Sequence, residues 1–131
     1  MNILAVYGTL KSTFGNNRLL KDCKFLGTGI TQERYAMSSL RSVPMVFKNP
    51  SIGNVRVELY EVDDKRLKGP LDSLEGNGYV YNREKINCKI KEETIEAWLY
   101  FGMDKFKPVT MADPNEVLVD EQIYNWGYGK R

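Results

Sequence analysis

VYGTLK, residues 6–11, closes the first apolar run of the chain, and its reading decides the fold. Residues 3–7 have the length and apolarity of a short buried strand. A purely structural turn after that strand needs only Gly8. Here the glycine is followed by Thr9, Leu10 and then the charge of Lys11. A loop that leaves a buried strand through a residue without a Cβ can turn its N–H groups toward a ligand. "NNRLLKD" (16–22) predicts a short helix with Asn16 or Asn17 as N-cap, which brings a positive dipole end to the same place. Two readings stay open: an ordinary strand-to-helix turn, or a loop that holds an oxyanion or a carboxylate.

Outward from this loop, "KFLGTGITQERYAMSSL" (24–40) predicts one long curved strand, bent or bulged at Gly27 and Gly29. "VPMVF" (43–47) is a further strand, with Pro44 at an edge or at a kink facing a ligand. "GNVRVELYEV" (53–62) alternates most regularly of all. Asp63 and Asp64 then cap a helical stretch, broken at Gly69-Pro70 and resumed as "PLDSLE" (70–75). Gly76 ends it as a C-cap. "YNREKINCKI" (81–90) and "TIEAWLYF" (94–101) are two strands joined by a charged turn. After Gly102 the pattern weakens, "MADPNEV" is a loop, and the tail "YNWGYGKR" has no clear period. Strands of uneven curvature with short helical pieces predict an α+β domain on a small, mixed, barrel-like sheet.

The chain has 131 residues and a formal net charge of +2, enough for one domain over residues 1–131 and not basic enough to argue for nucleic acid or an anionic membrane. The opening run lacks a basic flank and no apolar stretch reaches spanning length, so a membrane partner is not expected and a cytoplasmic location is. Cys23 and Cys88 are far apart and predict free thiols in a reducing compartment, with a disulfide as the minor reading. There is no histidine. That removes Ser-His-Asp and Cys-His catalysis in their usual forms, and HExxH zinc sites. Acid–base chemistry must then fall to a carboxylate, Lys, Tyr or Cys.

Glu75 is the carboxylate in question. It ends a helix, where the negative dipole end disfavours a second negative charge, and an apolar pocket there would favour its neutral form further. A solvated surface glutamate is the other reading. Tyr81 and Arg83, two apart on one strand face, can orient a nearby carboxylate or simply form a half-exposed cation–π pair. Tyr100 reads as a core residue, and Glu58 and Glu61 receive no role.

Taken in order, "VYGTLK", "NNRLL", "VPMVF", "VELYEV", "LDSLEG" and "YNR" resemble the γ-glutamylcyclotransferase-like (AIG2-like) family, whose members show a YG(S/T)L loop, a G.LY.V strand, then LD.LEG and Y.R. The resemblance runs over residues 3–101 and leaves the tail 102–131 outside it. "YGTL" followed by "NNRLL" is closer to the γ-glutamylamine cyclotransferase branch. The resemblance implies the fold of that family and a cyclotransferase of acyltransferase or lyase type. Its reaction would close a γ-glutamyl amide to 5-oxoproline and release an amine. It assigns Glu75 as general acid/base, Tyr7, Gly8, Thr9 and Leu10 to substrate and oxyanion, and Tyr81 and Arg83 to support. It implies no cofactor and no metal. One departure stands out: Arg56-Val57 precede "ELY" where the family has a glycine, so Arg56 narrows or charges the pocket if it faces inward.

Two other readings are carried. One is a non-catalytic module on the same scaffold that binds a small metabolite or a protein. The other is a single-strand nucleic-acid binder, which eight tyrosines permit but which the interleaving of acidic with basic residues opposes. The expected partner is a small γ-glutamyl compound; oligomeric state is not legible.

Overall fold

The alternation in residues 53–62 becomes the backbone of the molecule. In a computed structural model describing residues 1–38 and 44–127, strand β5 (Asn54–Val62) turns Val55, Val57 and Leu59 into one apolar interior, and Tyr60 and Val62 to the opposite face. Such period-two burial on both faces requires cover on both. β1 (Asn2–Val6) and β2 (Lys24–Thr31) pair antiparallel with β5 on its two sides. β6 (Tyr81–Ile90) and β7 (Glu93–Gly102) form a ten-pair hairpin from Tyr81↔Gly102 to Ile90↔Glu93. β2 joins β6 through Thr31↔Cys88, and β7 meets β1 in parallel at Leu4↔Trp98. The ring β1-β5-β2-β6-β7 is thereby a closed five-stranded mixed barrel, which leaves these strands no free edge. The fold is α+β, as the sequence predicts.

The barrel interior is filled by Ala5, Tyr7, Val55, Val57, Leu59, Cys88, Leu99 and Phe101. A second apolar layer, with Leu4, Val6, Val62, Tyr81 and Tyr100, lies outside the barrel under Leu67 and Leu71. Those two leucines belong to the helical passage α1 (Asp64–Arg66), a π-helical turn Leu67–Leu71, and α2 (Asp72–Glu75). Asp63 caps it, accepting from the N–H of Arg66 at 2.7 Å. The passage is not broken at Gly69-Pro70. Asp72 N–H reaches back five residues to the Leu67 carbonyl, and this wider turn admits the Pro70 ring, which would clash with a carbonyl in a regular α-helix.

Three further expectations change. The long strand 24–40 is bulged between Phe25 and Gly27 as expected, but it ends at Thr31. There the Thr31 hydroxyl donates to the Glu33 carbonyl and accepts from Val55 N–H, a local competitor to the ladder. The chain resumes as β3 (Ala36–Ser38), paired with β4 (Met45–Phe47); Leu40 and Val43 of the two expected strands lie outside the described residues. The short helix is a 3₁₀ segment, Gly15–Leu20, whose N-cap is Phe14, so neither Asn16 nor Asn17 caps it. The tail is not patternless either. β8 (Glu116–Leu118) and β9 (Glu121–Tyr124) form a hairpin, and β9 runs parallel beside β5. Tail residues 128–131 lie outside the described residues. Cys88 is buried and Cys23 half-buried, and both are free thiols. Among the described residues no helix is long and apolar enough to cross a membrane.

Candidate active site

β1 carries Tyr7 into the interior and releases the chain at Gly8. The loop closes on one backbone bond, Lys11 N–H to the Gly8 carbonyl at 2.9 Å. Its other fixtures come from side chains. Asn16 Nδ2 donates to Thr9 Oγ1 at 2.9 Å, and Asn17 Nδ2 donates to the Leu10 carbonyl at 2.8 Å. On the β5 side, Ser12 donates through its N–H and its hydroxyl to the two carboxylate oxygens of Glu58, at 2.7 and 2.9 Å. Among the described residues, no backbone carbonyl outside the strand ladders takes the N–H of Gly8, Thr9 or Leu10. Gly8 does not need a left-handed φ. It needs space, because a Cβ there would lie 2.8 Å from Cγ of Pro44.

Glu75 approaches the same place from α2. The helix stops because Gly76 takes a left-handed conformation, φ 58° and ψ 49°, and turns its N–H back to the carbonyls of Asp72 and Ser73. Four residues of helix cannot hold themselves in water. Asp72 fastens this one: its Oδ1 accepts from Tyr100 OH at 2.6 Å and from Arg83 Nε at 2.9 Å, and its Oδ2 accepts from Arg83 Nη2 at 3.2 Å. The Arg83 guanidinium lies over the Trp98 ring, 4.5 Å from its centroid, and the Arg83 backbone N–H donates to Asn77 Oδ1. Asp72 and its hydrogen bonds hold Arg83 still more firmly protonated than usual.

Glu75, by contrast, has no hydrogen-bond partner among the described residues, and burial alone pushes its carboxyl from 4.5 up to about 7. Tyr7, Tyr81 and Tyr100 face it, and their acidities fall, first through burial and then partly through its charge. Their protons are committed elsewhere. Tyr7 donates to the Tyr100 carbonyl at 2.6 Å, Tyr81 to the Pro44 carbonyl at 2.9 Å, and Tyr100 to Asp72.

The Tyr7–Leu10 loop, Glu75 and Tyr81 all line one cavity of about 40 Å³, together with Ala5, Val6, Pro44 and Tyr100. Six of the seven residues singled out from the sequence are thus brought together. Arg83 is not on the lining; it orients Asp72 rather than Glu75. Sequence reasoning passed over Asp72, Tyr100 and Glu58. Asp72 stands three residues before Glu75, a spacing that puts both on one helical face, and that was the available signal. Arg56 does not face this cavity. It pairs with Glu116 at 2.9 Å on the far side of the loop, beside a second depression lined by residues 11–14. Among the described residues no cluster of three His, Cys, Asp or Glu could hold a metal ion.

The model of the family "Gamma-glutamyl cyclotransferase, AIG2-like" matches residues 4–123. A Methanocaldococcus jannaschii protein named "Putative gamma-glutamylcyclotransferase" is 43% identical over 103 residues, 77% of this chain and 84% of that protein. Human gamma-glutamylaminecyclotransferase is 31% identical over 101 residues, 71% of this chain and 65% of the human protein. Among solved structures, a Mus musculus AIG2-like protein superposes with a TM-score of 0.74 at 27% identity, over 82% of this chain and 80% of that one.

Proposed function

We propose that this chain, which belongs to the AIG2-like γ-glutamyl cyclotransferase family, closes a γ-glutamyl amine to 5-oxoproline and releases the amine. The observation that carries this reading is Glu75: a carboxylate with no hydrogen-bond partner among the described residues, raised to about 7, across a small cavity from the Gly8–Leu10 loop.

The chemistry asks little of the protein. A γ-glutamyl amide carries its own nucleophile, the α-amino nitrogen. When that nitrogen attacks the γ-carbonyl carbon, a C–N bond forms and a five-membered ring closes. The amide C–N bond then breaks and the amine leaves. Holding the chain folded back gives an effective molarity of up to ~10⁵ M or more. Glu75 takes a proton from the α-ammonium and returns it to the leaving nitrogen, a double transfer by one group worth roughly 10²–10⁴-fold. The second proton that the α-nitrogen sheds on becoming the lactam N–H passes to the released amine, which leaves as its ammonium. A carboxyl poised near 7 suits both directions. N–H groups of Gly8, Thr9 and Leu10 stabilise the oxyanion, at about 3 kcal/mol per donor. Tyr7 and Tyr81 shape the wall of the cavity beside Glu75. On this scheme neither a histidine nor a protein nucleophile is required.

The test is a compound with its α-amine blocked. γ-Glutamyl-ε-lysine should yield lysine and 5-oxoproline, and its Nα-acetyl form should be inert, because acetylation removes the nucleophile and leaves the scissile amide intact. Free glutamate as the first product would mean that water attacks, and would end the cyclisation reading. Tight binding of 5-oxoproline without turnover of any γ-glutamyl amine, amino acid or peptide would favour the non-catalytic module.

A further inference from the structure

The basic residue that closes VYGTLK is not used by the chemistry above, and its surroundings are unusual. Lys11 is only 8% exposed, a rare state for a lysine unless its charge is met. Its ammonium donates to the Trp126 carbonyl at 2.7 Å and to Asn125 Oδ1 at 3.1 Å. Three residues on, the Phe14 ring packs on Trp126 with centroids 4.7 Å apart. Both contacts tie the loop to the far end of the chain.

That end is itself fixed to the barrel. Asn125 N–H donates to Asn115 Oδ1, and its Nδ2 donates to Glu116 Oε1. Glu116 forms a two-pronged pair with Arg56 of β5, and β9 runs beside β5 through Asn54↔Ile123. The loop from Gly8 to Phe14 has two internal backbone bonds, Lys11 N–H to the Gly8 carbonyl and Phe14 N–H to the Lys11 carbonyl. Beyond these, Asn16 and Asn17 hold Thr9 and Leu10, Glu58 grips one side through Ser12, and this segment grips the other through Lys11.

We infer that residues 115–127 are a strap that sets the position of the Gly8–Leu10 N–H groups, with Lys11 and Trp126 as positioning residues for substrate binding. The inference rests on the reading of Gly8–Leu10 as the substrate loop, and it makes the tail part of the site's machinery.

The variants are Lys11→Met, which keeps the stem and removes the ammonium, and Trp126→Ala, each in the full chain. With γ-glutamyl-ε-lysine, KM should rise about tenfold or more, the scale of losing hydrogen bonds to a charged group. kcat should fall as well, because the same Gly8–Leu10 N–H groups stabilise the oxyanion, while the rise of activity around pH 7 should stay put, since Glu75 is held by a different set of bonds. Lys11→Arg should restore most of the affinity. Backbone amide hydrogen exchange reads the loop without any substrate: the hydrogen-bonded amides of residues 11, 12 and 14 should exchange about tenfold faster in Lys11→Met, with β6 and β7 unchanged. If Lys11→Met does not fold, Trp126→Ala carries the same two readouts. Unchanged exchange at those three amides overturns the strap, whatever the chain acts on. So does a lowered Tm with KM unmoved, which would make the contact structural alone. A wild-type chain that turns over no γ-glutamyl compound would end the functional reading, and the exchange result would still decide the strap.

Discussion

The short helix that carries Glu75 and the loop that faces it are built by opposite means. α2 is held by one concentrated anchor, where three bonds converge on Asp72 from Arg83 and Tyr100. The loop is held by dispersed contacts from Asn16, Asn17, Glu58 and the strap. Yet both leave their functional atoms open. On α2 the supporting carboxylate is saturated and the proposed acid/base beside it has no hydrogen-bond partner among the described residues, so burial can raise its pKa. In the loop Thr9, Lys11 and Ser12 are engaged through their side chains, while among the described residues the N–H groups of Gly8, Thr9 and Leu10 have no acceptor outside the strand ladders. A functional side chain needs a rigid neighbour; a functional backbone needs its own side chains tied away. The helix should therefore fail all at once, and the loop by degrees.

The largest effect should come from the bare carboxylate. Glu75→Gln keeps the shape and removes the proton acceptor. kcat should fall by roughly 10²–10⁴-fold, with 5-oxoproline affinity largely kept. In the wild type, activity should rise with pH through about 7 as Glu75 ionises. The same change should stabilise the fold. Glu75 binds its proton more tightly when folded, so the native state gains protons relative to the unfolded one between pH 4.5 and about 7. Its penalty is absent below that window and full above it. At about 1.4 kcal/mol per pKa unit, the gain for Gln is about 3 kcal/mol at most above pH 7 and vanishes below pH ~4. Equal Tm values for the two proteins at pH 8 would show Glu75 to be solvated and remove the basis of its role.

Next is the anchor. Asp72→Ala strands Arg83, a partner only 13% exposed, and frees Tyr100 OH. Losing charge-assisted bonds of this kind costs about 2–3 kcal/mol. kcat should drop by about tenfold or more, because a misplacement near 1 Å at the reacting group has large effects. A variant that loses stability but keeps kcat and its pH profile would show that α2 needs no anchor, and would erase the contrast with the loop.

How much of this was legible follows from the range of the interactions. β1 was readable from its short apolar run, β5 and the β6–β7 hairpin because strand pattern is local, and the Gly76 stop because a left-handed residue after a helix calls for glycine. Glu75 and the Gly8–Leu10 loop were readable as candidates by motif order. Asp72's role was not, since Arg83 and Tyr100 come 11 and 28 residues later. The β8–β9 hairpin escaped for a related reason. Val117, Leu118 and Val119 are exposed there, so its residues carry no burial rhythm, and it is fixed by partners far earlier in the chain: β9 pairs with β5, Asn54 to Ile123, and Glu116 pairs with Arg56. Asn16 and Asn17 were read as caps because asparagine favours that place, whereas their amides serve the loop.

Gly8→Val tests the loop at its tightest point. The added Cβ meets Pro44 Cγ at 2.8 Å, and relief of such a contact typically costs about 1–3 kcal/mol. Because Pro44 and Gly8 both line the cavity, binding and turnover should fall together. Gly8→Ala should show the same pattern in smaller measure. A Gly8→Val protein with wild-type KM for the γ-glutamyl amine would place the substrate away from this loop.

The smallest effect belongs to Arg56, the long side chain just before "VELYEV" that would narrow or charge the pocket if it faced inward. Inward, it would select an acidic leaving group. It points instead to Glu116, with which it forms a pair about one-fifth exposed on each side, and it does not line the cavity with Glu75. Arg56→Gln should therefore weaken the strap without altering charge at the reacting end. KM should rise slightly, and by the same factor for acidic, neutral and basic leaving groups. The change should stay within about fivefold, matching the ~1 kcal/mol such a pair contributes. The informative quantity is the ratio of kcat/KM between a γ-glutamyl compound with an acidic leaving group and one with a basic leaving group. A ratio that does not move separates holding the loop from choosing the substrate. A shift of tenfold or more in that ratio would mean that the leaving group reaches across the loop to Arg56, and that the second depression is part of the substrate's path.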